Sequence, residues 1–158
     1  MYKTSRVNLL PEQRGYFGVG LYNPKIEFNV GHVLRACHCF GASFIMIQGN
    51  RYKHDPTNVT KAERHIPLIQ TKDLQSVIPY DCIPIAVELD DNASSLVNFC
   101  HPERAYYIFG PEDGSLGKDT YSWCKYKIYI PSHGCLNLAM SVNIVLYDRI
   151  QKEIRRGD

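Results

Sequence analysis

No apolar run in this chain of 158 residues approaches the roughly 18 needed to span a bilayer, which excludes a membrane-spanning helix. The opening stretch MYKTSRVNLLPEQRGYFGVG has no apolar core of the kind an export signal carries, so a cytoplasmic protein is expected. An excess of one charge is missing too. With 18 Lys and Arg against 16 Asp and Glu, the net charge is +2. That total neither demands nor excludes nucleic acid, because a local basic patch matters more than the sum. There is no internal repeat, low-complexity tract or linker.

The common nucleotide fingerprints are also absent. Gly18-Val19-Gly20 is the one candidate for a dinucleotide loop, but it lacks the third glycine and falls inside a predicted strand. No Walker sequence and no Gly-x-Ser-x-Gly elbow occurs. The six cysteines are scattered at 37, 39, 82, 100, 124 and 135, and without an export signal they read as reduced thiols. Cys37-His38-Cys39 looks metal-like, yet adjacent helical residues point about 100° apart and converge poorly on one ion. No metal is expected.

What is present suits a single globular domain spanning 1–158, with 1–15 as an N-terminal extension. At this length folding buries roughly 70% of the unfolded surface. Apolar residues make up 44% and charged residues 22%, as in ordinary globular chains. Strand-like runs alternate with helix-like ones. Strands are predicted at 16–22, 43–48, 66–70, 83–89, 104–109 and 127–130. Helices are predicted at 30–40, 72–78, 94–99 and from 136 to about 155. This alternation predicts an α/β fold, a parallel sheet covered on both faces.

Two helices are informative. In the first, Val30, Val33, Leu34 and Cys37 form one apolar stripe, with His32, Arg35 and His38 on the other side. Asn29 is the expected N-cap. The last helix is apolar nearly all round from Leu138 to Tyr147, so it needs cover on more than one side. A homodimer is the expected partner.

Three polar clusters remain: NVGHVLR at 29–35, FGPEDGSLG at 109–117, and IPSHGCLNLAMS at 130–141. Singly, each reads as well as a cap, a turn or a loop. Together and in this order they resemble the SpoU (TrmH-like) branch of the SPOUT RNA methyltransferases. That family carries Asn-x-Gly-x-x-x-Arg, Phe-Gly-Pro-Glu and a closing Ile-Pro…Ser-Leu-Asn before the final helix. The matching residues are Asn29, Gly31 and Arg35; Phe109 to Glu112; and Ile130-Pro131 with Leu136-Asn137. The resemblance runs from about Tyr16 to the C-terminus.

The resemblance implies a SPOUT-type sheet whose C-terminal segment forms a trefoil knot, a homodimer, and S-adenosylmethionine as methyl donor. It implies methyl transfer to a ribose 2′-oxygen of RNA, and the bare domain favours tRNA over ribosomal RNA. A fold that binds RNA without turnover, or one that modifies a base, is the alternative. Arg35, Asn29, Glu112 and Asn137 are the implied catalytic residues. Val87, Gly110, Ile130, Leu138 and Cys135 are the implied cofactor contacts, Gly110 letting backbone approach where a side chain would intrude. Cys135 departs from the family's serine, and a thiol is a weaker donor than a hydroxyl.

Alignment of the hydroxyl behind a sulfonium methyl lowers a barrier by about 7–11 kcal/mol. A positioned base contributes about 3–5 kcal/mol, so positioning is the larger effect. A guanidinium stays protonated far above neutral pH and is an unusual base. Two roles stay open for Arg35: proton acceptor, or orienting group that stabilises the forming alkoxide. Arg51, Lys53, Lys61 and Arg64, interleaved with Tyr52 and two histidines, are the candidate RNA contacts.

Overall fold

The computed structural model describes residues 10, 12–52 and 64–157. Most of the expected N-terminal extension, and both Lys53 and Lys61, lie outside the described residues.

Seven strands and three helices follow one another as β1 (Phe17–Tyr22), α1 (Glu27–Phe40), β2 (Phe44–Gln48), β3 (Leu68–Thr71), β4 (Ile83–Val87), β5 (Ser94–Ser95), β6 (Ala105–Phe109), α2 (Gly117–Trp123), β7 (Tyr126–Tyr129) and α3 (Leu138–Gly157). The strands form one sheet in the order β3-β2-β1-β6-β4-β7-β5, and each adjacent pair is parallel. The chain leaves β1 toward β2 and β3, and then fills the other half of the sheet. The topology therefore reverses between β1 and β6. In open parallel sheets the carboxyl edge at such a reversal is where ligands bind.

Period-two alternation sorts the core onto two faces. Phe17, Val19, Leu21, Ile45, Ile47, Tyr107 and Phe109 pack with α1 and α3 on one face. Phe44, Met46, Tyr106 and Ile108 pack on the other, with Leu74, Leu116 and Tyr121. The glycines of Gly18-Val19-Gly20 serve this packing. A Cβ on Gly18 would lie 2.3 Å from the Phe44 ring, and one on Gly20 would lie 2.7 Å from Ile108 Cδ1. Two missing side chains leave room for Phe44, Tyr106 and Ile108 to cover the centre of the sheet.

Several predicted elements change. The segment 72–78 holds only a 3-10 turn at Gln75–Val77. Asp73 draws it tight by accepting from the N–H groups of Gln75 and Ser76. The predicted helix at 94–99 is the two-residue β5 followed by one 3-10 turn, Leu96–Asn98. Helix α2 was not predicted, because seven residues are too few to show an apolar period. Helix α1 begins at Glu27, three residues before the predicted start, so Asn29 lies inside the helix and Ile26 holds the N-cap position. Helix α3 buries Leu138, Ala139, Val142, Val145, Leu146, Arg149 and Ile150. It leaves Met140, Tyr147 and Ile154 exposed as one stripe at seven-residue spacing.

Candidate active site at the carboxyl edge of the sheet

The topology dictates which loops meet. Helix α1 follows β1, and the Gly110-Pro111-Glu112 corner follows β6, the strand beside β1. The head of α1 and the corner therefore face each other. Ile26 has no side chain that can cap a helix. Glu112 supplies the acceptor from the neighbouring loop instead. Its carboxylate accepts from Lys25 N–H at 2.9 Å, Ile26 N–H at 3.2 Å and Asn29 Nδ2 at 2.9 Å. Partial burial pushes the Glu112 carboxyl up, but the bonds from Asn29, Lys25 and Ile26 outweigh it and hold the group below the usual glutamate range. The predicted cap at Asn29 is thus corrected. Asn29 donates to the acid that serves the helix head.

The closing motif meets the same helix. Asn137 caps α3, its Oδ1 accepting from Met140 N–H at 2.8 Å. Between α1 and α3 opens a cleft of about 440 Å³, whose walls include Asn29, His32, Arg35, Cys39, Asn137 and Asn143. Arg35 is exposed there, and among the described residues no hydrogen bond or ion pair holds its guanidinium. Three of the four residues implied as catalytic line one cavity, and the fourth is bonded to one of them. Cys37 and Cys39 diverge as the helical geometry demands: Cys37 is fully buried and Cys39 faces the cleft.

The implied cofactor residues gather one strand further along. Val87 ends β4 and pairs with Phe109 on one side and Ile128 on the other. Gly110 and Ile130 each lie just beyond one of those partner strands. Val87 and Leu138 are only 8% and 6% exposed, so both turn their side chains into the core, and Ile130 packs against it. These residues offer backbone groups and a firm floor more than open apolar walls. A Cβ on Gly110 would lie 3.2 Å from Leu116 N and 3.3 Å from Glu88 Oε2, a tight fit that either neighbour would have to ease by a few tenths of an ångström. Beside this corner Glu88 accepts from Leu116 N–H at 3.2 Å. Cys135 sits in an exposed loop with Pro131, Ser132, His133 and Gly134.

The candidate RNA contacts separate. Arg64 is exposed. Arg51 is engaged: it donates to both Asp113 carboxylate oxygens, at 2.8 and 2.9 Å, and to Asn23. Sequence reasoning missed His32, Cys39, Asn143 and Glu88. His32 was visible as part of the polar face of α1, but the contribution of α3 depends on a contact between helices distant in sequence, α1 ending at Phe40 and α3 beginning at Leu138.

A profile of the SpoU rRNA Methylase family matches residues 16–147. Among curated proteins none matches the chain. The fold is similar to that of the SpoU methyltransferase AviRb from Streptomyces viridochromogenes, with a TM-score of 0.80 at 19% identity, covering 93% of this chain and 63% of that one. AviRb has also been solved in complex with AdoMet. The A. aeolicus TrmH/SpoU tRNA modifying enzyme superimposes with a TM-score of 0.79 at 17% identity, over 92% of this chain and 79% of that one. A protein solved for the 2-OH methylation of C/U34 on tRNA gives 0.78 at 21% identity, over 90% and 99%. The chain spans less than two thirds of the length of AviRb.

Proposed function

From the premise that the chain belongs to the SpoU rRNA Methylase family, we propose that it transfers a methyl group from S-adenosylmethionine to a ribose 2′-hydroxyl of RNA, with tRNA the favoured substrate. The observation that carries this reading is the cleft between α1 and α3. It is lined by Arg35, Asn29 and Asn137, and Glu112 is tied to Asn29 at 2.9 Å. The AdoMet complex of AviRb and the two tRNA-directed relatives support the donor and the substrate class.

S-adenosylmethionine, when bound, supplies an activated methyl on a sulfonium, so the chemistry calls on no metal. Val87, Gly110, Ile130, Leu138 and Cys135 would hold it, chiefly through backbone groups at the ends of β4, β6 and β7. Arg35 acts on the acceptor side. An exposed guanidinium with no protein acceptor among the described residues is suited to grip a ribose or phosphate oxygen and to stabilise charge on the 2′-oxygen as its proton departs. Asn29 and Glu112 set the position of the helix turn that carries Arg35. Asn137 fixes the closing loop against α3.

The same reading includes the trefoil knot and the homodimer. The Met140, Tyr147 and Ile154 stripe on α3 is 52%, 60% and 44% exposed and offers a second copy an apolar seam. Arg64, with Lys53 and Lys61 outside the described residues, would meet RNA.

Incubation with labelled S-adenosylmethionine and total tRNA tests the reaction. The expected product is a 2′-O-methylated nucleotide that resists alkaline cleavage at its own position. Label on a base, or on no RNA at all, contradicts the proposal. Arg35→Ala is expected to abolish transfer while leaving cofactor affinity nearly intact. Loss of cofactor binding in that variant would overturn the role given to Arg35.

A further inference from the structure

Arg51 was expected to grip RNA, and its geometry points elsewhere. Its guanidinium makes four hydrogen bonds. Nε donates to Asn23 Oδ1 at 3.2 Å, Nη2 to Asn23 O at 2.6 Å and to Asp113 Oδ1 at 2.9 Å, and Nη1 to Asp113 Oδ2 at 2.8 Å. A guanidinium has five N–H donors, so this one is nearly saturated within the protein. The pairing with Asp113 is the bidentate fork that a point charge cannot reproduce.

The three residues come from three loops. Asn23 follows β1, Arg51 follows β2, and Asp113 follows β6, and these strands are neighbours in the order β2-β1-β6. The backbone is shaped for the meeting. Asn23 takes a positive φ of 50°, and Gly49 a φ of 121°. A Cβ on Gly49 would lie 2.7 Å from Asn23 Oδ1, so a side chain there would push the loops apart. Asn23 N–H also donates to Gln48 O at 2.6 Å. Lys25 Nζ adds a weaker approach to Asp113 at 3.8 Å. The Arg51 pair holds the Asp113 carboxyl down to about 2.

The clasp closes next to the chemistry. Asp113 is the neighbour of Glu112, which holds the α1 head and Asn29. The corner is thus fixed at two successive residues: Glu112 by α1, Asp113 by Arg51. Resting on the methyltransferase reading, we propose that Arg51 is a positioning residue, clasping the loops after β1, β2 and β6 so that Glu112 and Asn29 hold the α1 turn that bears Arg35. Its contribution falls on turnover rather than on RNA affinity.

Arg51→Lys and Asp113→Asn separate a clasp from an RNA contact. A phosphate contact tolerates lysine as a cation, whereas a bidentate clasp does not. Each variant is expected to lower kcat on total tRNA about tenfold, the scale of one charge-assisted hydrogen bond, with KM for RNA and the salt slope of RNA binding unchanged. The double variant is expected to be no slower than Arg51→Lys alone, because that change already breaks the pairing that Asp113→Asn removes. Additive losses in that cycle overturn the clasp. So does an Arg51→Lys protein with wild-type kcat, or an Asp113→Asn protein that binds tRNA more tightly with a steeper salt slope.

Amide hydrogen exchange at Lys25 and Ile26 gives a readout independent of activity. Faster exchange in Arg51→Lys supports the clasp, and unchanged exchange overturns it, whether or not the wild type methylates RNA. Failure of wild-type transfer strikes the functional reading alone.

Discussion

Replacing Glu112 isolates the contact that joins two of the motifs. In Glu112→Ala the N–H groups of Lys25 and Ile26 and the amide of Asn29 lose their shared acceptor. Three bonds to a charged group, at the low end of about 1.5 kcal/mol each, sum to about 4.5 kcal/mol if none is replaced. Water reaches part of this site and rehydrates the freed donors, so a loss of about 2 kcal/mol is expected, the top of the range for helix-cap removal. Glu112→Gln keeps an acceptor oxygen and forfeits the negative charge at the helix head, for about 0.5–1 kcal/mol. Urea unfolding with an unchanged m-value measures both. The pH dependence adds a second check. The folded carboxyl lies below its unfolded value, so its stabilisation is present above the ordinary glutamate pKa of about 4.3 and is lost as pH falls through the folded value. The gap between wild type and Glu112→Gln therefore closes in acid. A Glu112→Ala loss under about 0.5 kcal/mol, or a gap to Glu112→Gln that stays constant into acid, would refute the reasoning.

His101 is buried between the Tyr107 hydroxyl at 2.6 Å and Asp148 Oδ2 at 2.8 Å. Burial lowers its imidazole to about 4, against the pull of Asp148. The unfolded chain then takes up the proton first, so wild-type stability is expected to fall by on the order of 2–3 kcal/mol as pH drops from about 6.5 to 4. In His101→Gln that slope disappears; a slope retained over this window contradicts the assignment. Cys135→Ser restores the family's hydroxyl in an exposed loop. Unfolding midpoints are expected to stay within about 0.5 kcal/mol, while transfer efficiency rises about fivefold, the equivalent of one hydrogen bond. Unchanged efficiency would show that the side chain at 135 takes no part.

The architecture was legible where sequence carries a local period. Alternation along β2 and β6 places Ile45, Ile47, Tyr107 and Phe109 on one face and Phe44, Met46, Tyr106 and Ile108 on the other. The stripe of Val30, Val33, Leu34 and Cys37 is buried as its spacing required. Short elements failed, since β5 and the 3-10 turns are too brief for any period and are set by tertiary pairing. The start of α1 failed for a different reason. A local reading looks for a cap in the preceding residues and finds Asn29. The acceptor that serves this helix head is Glu112, 86 residues beyond Ile26.

That displacement bears on how the site works. If Asn29 had been the cap, its side chain would have been spent on its own helix. With Glu112 serving the α1 head, Asn29 lines the cleft beside Arg35, and one acid couples the helix start to the corner after β6. A second acid, Asp113, repeats the logic one residue on and binds the corner to the loop after β2. Adjacent carboxylates in a Gly-Pro-Glu-Asp turn thus fasten three neighbouring strand ends at the point where the sheet reverses. In a reaction governed by alignment, displacement of the reacting groups by about 1 Å costs on the order of a hundredfold in rate. On the proposed reading, loop-to-loop fastening of this kind would serve catalysis as much as the guanidinium it aims.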